Sequence, residues 1–140
     1  MVATAAELPP EVTISDKVGA VVVAAGKSNR MGGLDKIFTP MLGSPLITYS
    51  LAQLESFAPV AQVTLVLDKD SVEHGEDLVR RAGYSKVTRV CVGGTRRQDS
   101  VRSGLESLGP CDLVIIHDGA RPFLNHCMLR RGLAVTQEWG

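Results

Sequence analysis

Residues 18–36 read VGAVVVAAGKSNRMGGLDK, and this stretch gives the clearest indication of the fold. It begins with eight small or apolar residues in a row and then changes abruptly to glycines and charged residues. A continuous Val-rich run is typical of a strand buried on both faces of a parallel sheet. The polar stretch that follows is predicted to be a loop at the carboxyl end of this strand, where open α/β sheets bind their ligands.

Three further apolar runs follow along the chain: VTLVL at 63–67, VTRVCV at 87–92 and LVIIH at 113–117. We expect each to be a strand buried on both faces, because its apolar residues are continuous rather than alternating. Segments with helical spacing separate the runs. This alternation predicts an α/β fold, a Rossmann-like three-layer sandwich with a mostly parallel central sheet.

The helical spacing predicts helices at 46–57, 71–82, 98–108 and 125–139. Ser44 is expected to cap the first helix, with Pro45 at its first position. Gly83 is expected to end the second, because glycine tolerates the left-handed conformation that follows many helices. Asn125 is expected to cap the fourth.

Composition narrows the functional classes. Fifteen Lys and Arg balance fifteen Asp and Glu, so no global field attracts nucleic acid, and anions have to be bound by local clusters. No apolar run is long enough to cross a bilayer, so we expect a soluble protein without a membrane partner. The three cysteines lack the spacing of a zinc site and the density of a disulfide scaffold, which favours a reducing cytoplasm.

The loop after the first run has the composition of a phosphate-binding loop. Three glycines and three cations occur within thirteen residues, and small residues at Ala24, Ala25 and Gly26 let backbone amides approach phosphate oxygens. The loop matches neither the P-loop nor the dinucleotide fingerprint, because Val21 and Ser28 stand where those motifs need Gly. An ordinary glycine-rich turn with solvated charges would have the same composition. The order and spacing of the residues therefore have to distinguish a phosphate-binding loop from such a turn.

The order Ala-Ala-Gly, then Arg30-Met-Gly, then Lys36 resembles the signature loop of the sugar-phosphate nucleotidyltransferases. The resemblance implies a fold of the nucleotide-diphospho-sugar transferase type and a nucleoside triphosphate substrate. It also implies that Arg30 and Lys36 are catalytic cations that grip the phosphates and stabilise charge at the α-phosphorus. Ser28 stands where Gly is common but can still donate an amide and a hydroxyl to the substrate. Asp35 stands where Pro is common and places a negative charge beside Lys36.

The segment after the third run reads GGTRRQDSVRSGL, a glycine turn that leads into a helix. It resembles the 2-C-methyl-D-erythritol 4-phosphate cytidylyltransferase family and the related ribitol phosphate enzymes. In that family this turn and the serine of Ser-Val line the cytosine pocket. The resemblance therefore implies these substrate-binding residues: Gly93, Gly94, Thr95 and Ser100. A helix cap by Asp99 or Ser100 is the alternative, and both interpretations can hold together. The arginines of the segment are interpreted as a solvated basic face: Arg96, Arg97 and Arg102.

The fourth run continues into HDGARPF at 117–123, which resembles the family motif His-Asp-Ala-Ala-Arg-Pro. A carboxylate at the end of a central strand can hold Mg²⁺ against a phosphate, and the resemblance assigns this role to Asp118. An Asp satisfied by local turn amides is the alternative. Gly119 replaces Ala and should let the backbone approach the ribose. His117 is interpreted as a packed strand-end residue and Arg121 as an anchor of the loop.

The resemblance extends from Val18 to the end of the chain. It implies transfer of CMP from CTP to 2-C-methyl-D-erythritol 4-phosphate, giving 4-diphosphocytidyl-2-C-methyl-D-erythritol and pyrophosphate for isoprenoid precursor synthesis. We expect a disordered leader at 1–16 and the nucleotide-binding portion of a cytidylyltransferase at 17–140. Family members are longer and usually homodimeric, so the resemblance implies a sequence truncated at the C-terminus, with LVIIH at an open sheet edge. An inactive nucleotide-binding module and a cytidylyltransferase for another polyol phosphate, such as ribitol 5-phosphate, remain alternatives.

Overall fold

The computed structural model describes residues 17–26 and 36–139. Within them the strands are β1 Val18–Ala24, β2 Pro40–Met41, β3 Ser44–Pro45, β4 Val60–Leu67, β5 Val87–Val92 and β6 Leu113–Asp118. The helices are α1 Leu46–Ser56, α2 Val72–Ala82, α3 Arg97–Ser107 and α4 His126–Trp139. The main sheet has the order β5-β4-β1-β6 with parallel neighbours throughout, and β2 and β3 form a separate antiparallel hairpin. The prediction of a parallel sheet with flanking helices is confirmed.

The two faces of β1 contact different helix layers. Ala20 and Val22 lie in a large apolar cluster with residues of α1, α2 and α4. Val21 and Val23 lie in a second cluster, where Val101 of α3 packs against them. The sheet is therefore the middle of three layers, and its carboxyl edge stays open between them.

The prediction that all four runs are buried on both faces is right for β1 and largely right for β4, and it is wrong for β5 and β6. These are the outer strands of the described sheet, as the sequence predicted for β6. Val114 and Ile116 of β6 are each 38% exposed, on the face where α3 packs against β1, β4 and β5. A run of apolar residues thus indicates a strand, but helix coverage decides how much of it is buried.

Most helix boundaries agree with the sequence, and one cap does not. Gly83 has φ 72° after α2, and the Asn125 carboxamide oxygen accepts a hydrogen bond from the Met128 amide at 2.9 Å, as predicted. Ser44 does not cap α1, because it pairs with Met41 in the hairpin, and Pro45 takes the cap position without a side-chain bond.

None of the helices formed by the described residues has the length and apolarity to cross a membrane.

Candidate active site

A cavity of about 480 Å³ lies at the carboxyl edge of the main sheet. Because the strands are parallel, the segments that follow β1, β5 and β6 all reach this edge. The chain runs outward from β1 through β4 to β5 and then returns to the far side of β1 as β6. The cavity therefore lies at the point where the strand order reverses, which is where ligands bind in open α/β sheets.

The cavity brings together most of the residues that the sequence predicted to bind substrate. Those that line it are Ala24, Ala25, Gly26, Lys36, Gly94, Thr95, Ser100 and Asp118. Gly93 and Gly119 lie behind the lining rather than in it. Ser28, Arg30 and Asp35, like the predicted leader at 1–16, lie outside the described residues.

Lys36 is held at the cavity by the residues that follow it. It begins a short 3-10 helix, Lys36–Phe38, in which Ile37 is 3% exposed and packs into the main core. The Phe38 ring stacks on the imidazole of His74 in α2, with ring centroids 4.1 Å apart. The backbone that carries the Lys36 ammonium group is thus fixed on two sides.

The loop after β5 is closed by side chains from the start of α3. The Ser100 hydroxyl, 2% exposed, accepts a hydrogen bond from the Gly94 amide at 3.2 Å. The Asp99 carboxylate accepts bonds from the Arg96 backbone amide at 3.2 Å and from Arg96 Nε at 3.1 Å. A Cβ on Gly93 would lie 2.6 Å from Ser100 Oγ, so glycine is needed there for close packing. Arg96 is thus the cap residue, and Asp99 contributes to the cap as predicted, but from the third position of the helix, while Ser100 lines the cavity.

The loop after β6 is a tight turn around Asp118. The Ala120 amide donates to Asp118 Oδ1 at 3.1 Å, as the local-turn alternative predicted, while Arg121 Nε lies 3.9 Å from Asp118 Oδ2. A Cβ on Gly119 would lie 2.6 Å from Ile47 Cδ1, so this residue faces the core rather than the cavity. Gly119 is not among the residues that line the cavity, and the approach of its backbone to the ribose stays a prediction.

Arg121 anchors the loop through its backbone rather than through its exposed guanidinium group. Its carbonyl oxygen lies 2.9 Å from Ser50 Oγ and 3.1 Å from His117 Nε2. Burial lowers the pKa of His117 below its ordinary value of 6.5, although the Arg121 carbonyl and the Asp118 charge act in the opposite direction. The ring is therefore neutral near pH 7 and packs at the strand end, as the sequence indicated.

A model of the family described as IspD, 2-C-methyl-D-erythritol 4-phosphate cytidylyltransferase, matches residues 18–139. The chain belongs to this family. The enzyme of that name from Dehalococcoides mccartyi strain CBDB1 is 43% identical over 91% of the chain and 56% of its own length. The enzyme from Clostridium perfringens strain SM101 is 37% identical over 89% of the chain and 56% of its own length. The chain thus spans about half the length of the curated relatives it matches.

Solved structures agree with this cytidylyltransferase fold. The 4-diphosphocytidyl-2C-methyl-D-erythritol synthase from Anaerococcus prevotii superposes with a TM-score of 0.75 at 24% identity, over 87% of the chain and 52% of its own. A CMP:2-keto-3-deoxy-manno-octonic acid synthetase complexed with CTP gives a TM-score of 0.71 at 19% identity, over 88% of the chain and 48% of its own. These likenesses confirm the predicted nucleotidyltransferase type of fold.

Two cations that line the cavity were not predicted as site residues from the sequence. Arg96 and Arg97, interpreted as part of a solvated basic face, line it together with Lys36. Arg96 is held by the Asp99 carboxylate, which leaves Arg97 as the less constrained guanidinium group of the two. Their position between a strand end and a helix start was the available signal, because that position points toward the carboxyl edge.

The side chains that line the cavity suit a Mg²⁺ ion most of whose ligands come from a bound substrate. Among the described residues no group of three or more His, Cys, Asp and Glu side chains could hold a metal ion alone. Asp118 is the carboxylate that lines the cavity, and the Ala120 amide occupies one of its oxygens. Mg²⁺ commonly binds one or two carboxylates with phosphate oxygens and water, so a cavity carboxylate fits it where a bound phosphate supplies the other ligands.

Proposed function

We propose that the protein takes part in the transfer of CMP from CTP to 2-C-methyl-D-erythritol 4-phosphate, with release of pyrophosphate. The observation that carries the proposal is the cavity itself, in which the described residues of a chain of this family place three cations and one carboxylate at the carboxyl edge of the sheet. Cationic side chains that line a cavity together with a carboxylate suit a triphosphate that carries a divalent cation. A cytoplasmic location and a homodimer belong to the same proposal.

The loop after β5 is proposed to bind cytosine. The Ser100 hydroxyl uses a lone pair for the Gly94 amide, and its hydrogen can donate to an acceptor on the base. Thr95 and the Gly94 backbone border the same side of the cavity. A pocket of fixed donors and acceptors rejects a wrong base strongly, because the mismatch leaves buried polar groups unpaired.

The loop after β1 and the cavity cations are proposed to bind the triphosphate. Backbone amides at 24–26, together with Arg30 and Lys36, would neutralise the phosphates. An oxygen of the acceptor phosphate attacks the α-phosphorus, forming the new P–O bond as pyrophosphate leaves, without a covalent enzyme intermediate. Asp118 would hold Mg²⁺, which supplies positive charge to the triphosphate.

The proposal is tested by calorimetry of the 140-residue chain with CTP, ATP and UTP in Mg²⁺, and by pyrophosphate release with methylerythritol phosphate. CTP-selective binding with turnover supports it. Selective binding without turnover would leave the chain a nucleotide-binding module. Turnover with ribitol 5-phosphate instead would move the acceptor to another polyol phosphate.

Lys36→Ala tests the catalytic assignment directly. We expect turnover to fall by about 10²- to 10³-fold, as when one charge-stabilising group is removed from a transition state, while the fold is retained. Lys17→Ala is the matched control, because Lys17 is exposed and precedes β1 at the opposite edge of the sheet. Unchanged pyrophosphate release in Lys36→Ala would remove Lys36 from the mechanism.

A further inference from the structure

The apolar face of α1 contains one polar residue with an unusual environment. Ser50 is 0% exposed and lies among Ile47, Leu51 and Leu54, which are all buried in the main core. A hydroxyl in such a place is costly unless it is hydrogen-bonded. Its partners come from the other end of the chain: the Arg121 carbonyl oxygen at 2.9 Å and His117 Nε2 at 2.9 Å.

The directions of these bonds follow from the groups available. A carbonyl oxygen can only accept, so the Ser50 hydroxyl donates to Arg121. The His117 Nε2 atom lies within reach of the same carbonyl and of Ser50 Oγ, so it has to carry the hydrogen and donate to both. This assigns the Nε2–H tautomer of a neutral ring, and all three groups are satisfied.

The three groups close one end of the Asp118 turn. At its other end the Gly119 amide donates to the Val23 carbonyl at 2.8 Å, and the Ala120 amide donates to the Asp118 carboxylate at 3.1 Å. The Arg121 amide also donates to the Asp118 carbonyl at 3.1 Å. The turn is thus bonded to β1 on one side and to α1 on the other, and Asp118 of this turn lines the cavity.

We propose that Ser50 and His117 are positioning residues, which hold the Asp118 turn so that its carboxylate faces the Mg²⁺–triphosphate. This inference rests on the proposed function for the identity of the ligand. The tie that it invokes, from Ser50 to the Arg121 carbonyl, exists without any ligand and can be measured without one.

The chain contains a matched control for this tie. Ser56, one turn and a half further along α1, lies 2.9 Å from His126 Nε2, and His126 Nε2 lies 3.1 Å from the Gln53 carbonyl. This second pair joins the same helix to α4, and none of its members lines the cavity. Ser56→Ala therefore removes a similar hydroxyl–imidazole contact without touching the Asp118 turn.

The test compares Ser50→Ala with Ser56→Ala by native-state amide hydrogen exchange. The probes are the amides of Gly119, Ala120 and Arg121, with β1 amides as the reference for global unfolding. Loss of one hydrogen bond predicts exchange about two- to tenfold faster at the probes in Ser50→Ala, and unchanged exchange there in Ser56→Ala. His117→Phe should act like Ser50→Ala, and His117→Gln, which keeps an N–H donor, should act less. Unchanged probe exchange in a folded Ser50→Ala protein would overturn the proposal.

A second measurement separates positioning from mere stability. Calorimetry gives the gain in CTP affinity caused by Mg²⁺, and we expect Ser50→Ala to reduce this gain about two- to tenfold while Mg²⁺-free CTP binding is unchanged. Faster probe exchange with an undiminished Mg²⁺ gain would make the tie structural only and overturn the positioning role. If the parent chain bound no CTP, the proposed function would fail, and the positioning role with it, while the exchange data would still decide whether the tie holds the turn.

Discussion

Of the loops that reach the cavity, those after β5 and β6 are each held by a buried serine, but the two serines lie at different distances along the chain from the loop that they hold. After β5, the Ser100 hydroxyl accepts from Gly94, six residues earlier in the same segment. After β6, the Ser50 hydroxyl donates to the carbonyl of Arg121, 71 residues later. The first loop is closed by its own helix and the second by a helix from another part of the fold. The closure of the loop after β5 can therefore be understood from its local sequence, and that of the loop after β6 cannot.

A third buried hydroxyl shows that burial alone carries no functional meaning. Thr64 of β4 is 0% exposed, and its Oγ1 atom has no hydrogen-bond partner among the described residues. It lies in the sheet interior rather than at the carboxyl edge, and it does not line the cavity. The two serines differ from it because each bonds to the backbone of a cavity loop.

Among the changes that compare the two loops, the largest effect is expected from Gly93→Ala in the loop after β5. The added Cβ would lie 2.6 Å from Ser100 Oγ and closer still to Ala25 Cβ, so the loop has to move. Overpacking of this kind costs about 1–3 kcal/mol in the free energy of unfolding, and CTP affinity should fall with it. Urea unfolding and calorimetry measure the two quantities.

Gly119→Ala is the matched change in the other loop. Its Cβ would lie 2.6 Å from the terminal methyl group of Ile47 and 3.0 Å from Ala24 Cβ, which is less severe than the contacts of 2.4 Å and 2.6 Å at Gly93. We expect a smaller loss of unfolding free energy than in Gly93→Ala and little change in CTP affinity. Equal losses in the two variants would contradict the expected difference, because they would mean that the two loops are packed equally tightly.

Ser100→Ala is expected to have the next largest effect. It leaves the Gly94 amide without its acceptor and removes the donor proposed for the base, so CTP affinity should fall about tenfold with or without Mg²⁺. Calorimetry in the presence and absence of Mg²⁺ checks this. A loss seen only with Mg²⁺ would assign Ser100 to the metal side of the cavity instead.

The strands and helices were largely predictable because their signals are local. The Val-rich run of β1 and Gly83 at the end of α2 act through neighbouring residues, and both were identified. The β2–β3 hairpin was missed, and with it the true role of Ser44, because its strands are two residues each and give no periodic pattern. The exposure of β5 and β6 was missed because it depends on where the helix layers end.

The residues of the candidate site likewise divide into those that local motifs predicted and those that depend on contacts far along the chain. Asp118, Ser100 and Lys36 belong to recognisable motifs in the segments that leave strand ends, and their place at the cavity was predicted from these motifs. Ser50 gave no signal, because a single serine on an apolar helix face looks like tolerated polarity until its partner is known. Arg96 and Arg97 are exposed, as interpreted, but their place at the cavity was missed because their charge alone does not indicate which edge of the sheet they face.

Thr64→Val sharpens the contrast between buried hydroxyls with and without partners. Valine has nearly the shape of threonine, and the exchange removes a buried hydroxyl that has no partner among the described residues. We expect the free energy of unfolding to rise by about 1 kcal/mol, with CTP affinity unchanged. Urea unfolding measures this, and a destabilised variant would mean that the Thr64 hydroxyl makes a bond after all.

The smallest effect is expected when acid protonates the Asp99 carboxylate, which helps to close the loop after β5. Hydrogen bonding from Arg96 holds the pKa of Asp99 below its ordinary value of 3.8, so folding favours the charged carboxylate. Its stabilisation is therefore complete above that value and is lost as pH falls through the lower pKa of the folded state. Asp99→Asn lacks this titration, so its stability difference from the parent chain should shrink in acid. The difference between Thr64→Val and the parent should stay constant over the same range, since no titrating group is changed. If both differences were flat, the carboxylate would not be what closes the loop, and Ser100 alone would account for its local closure.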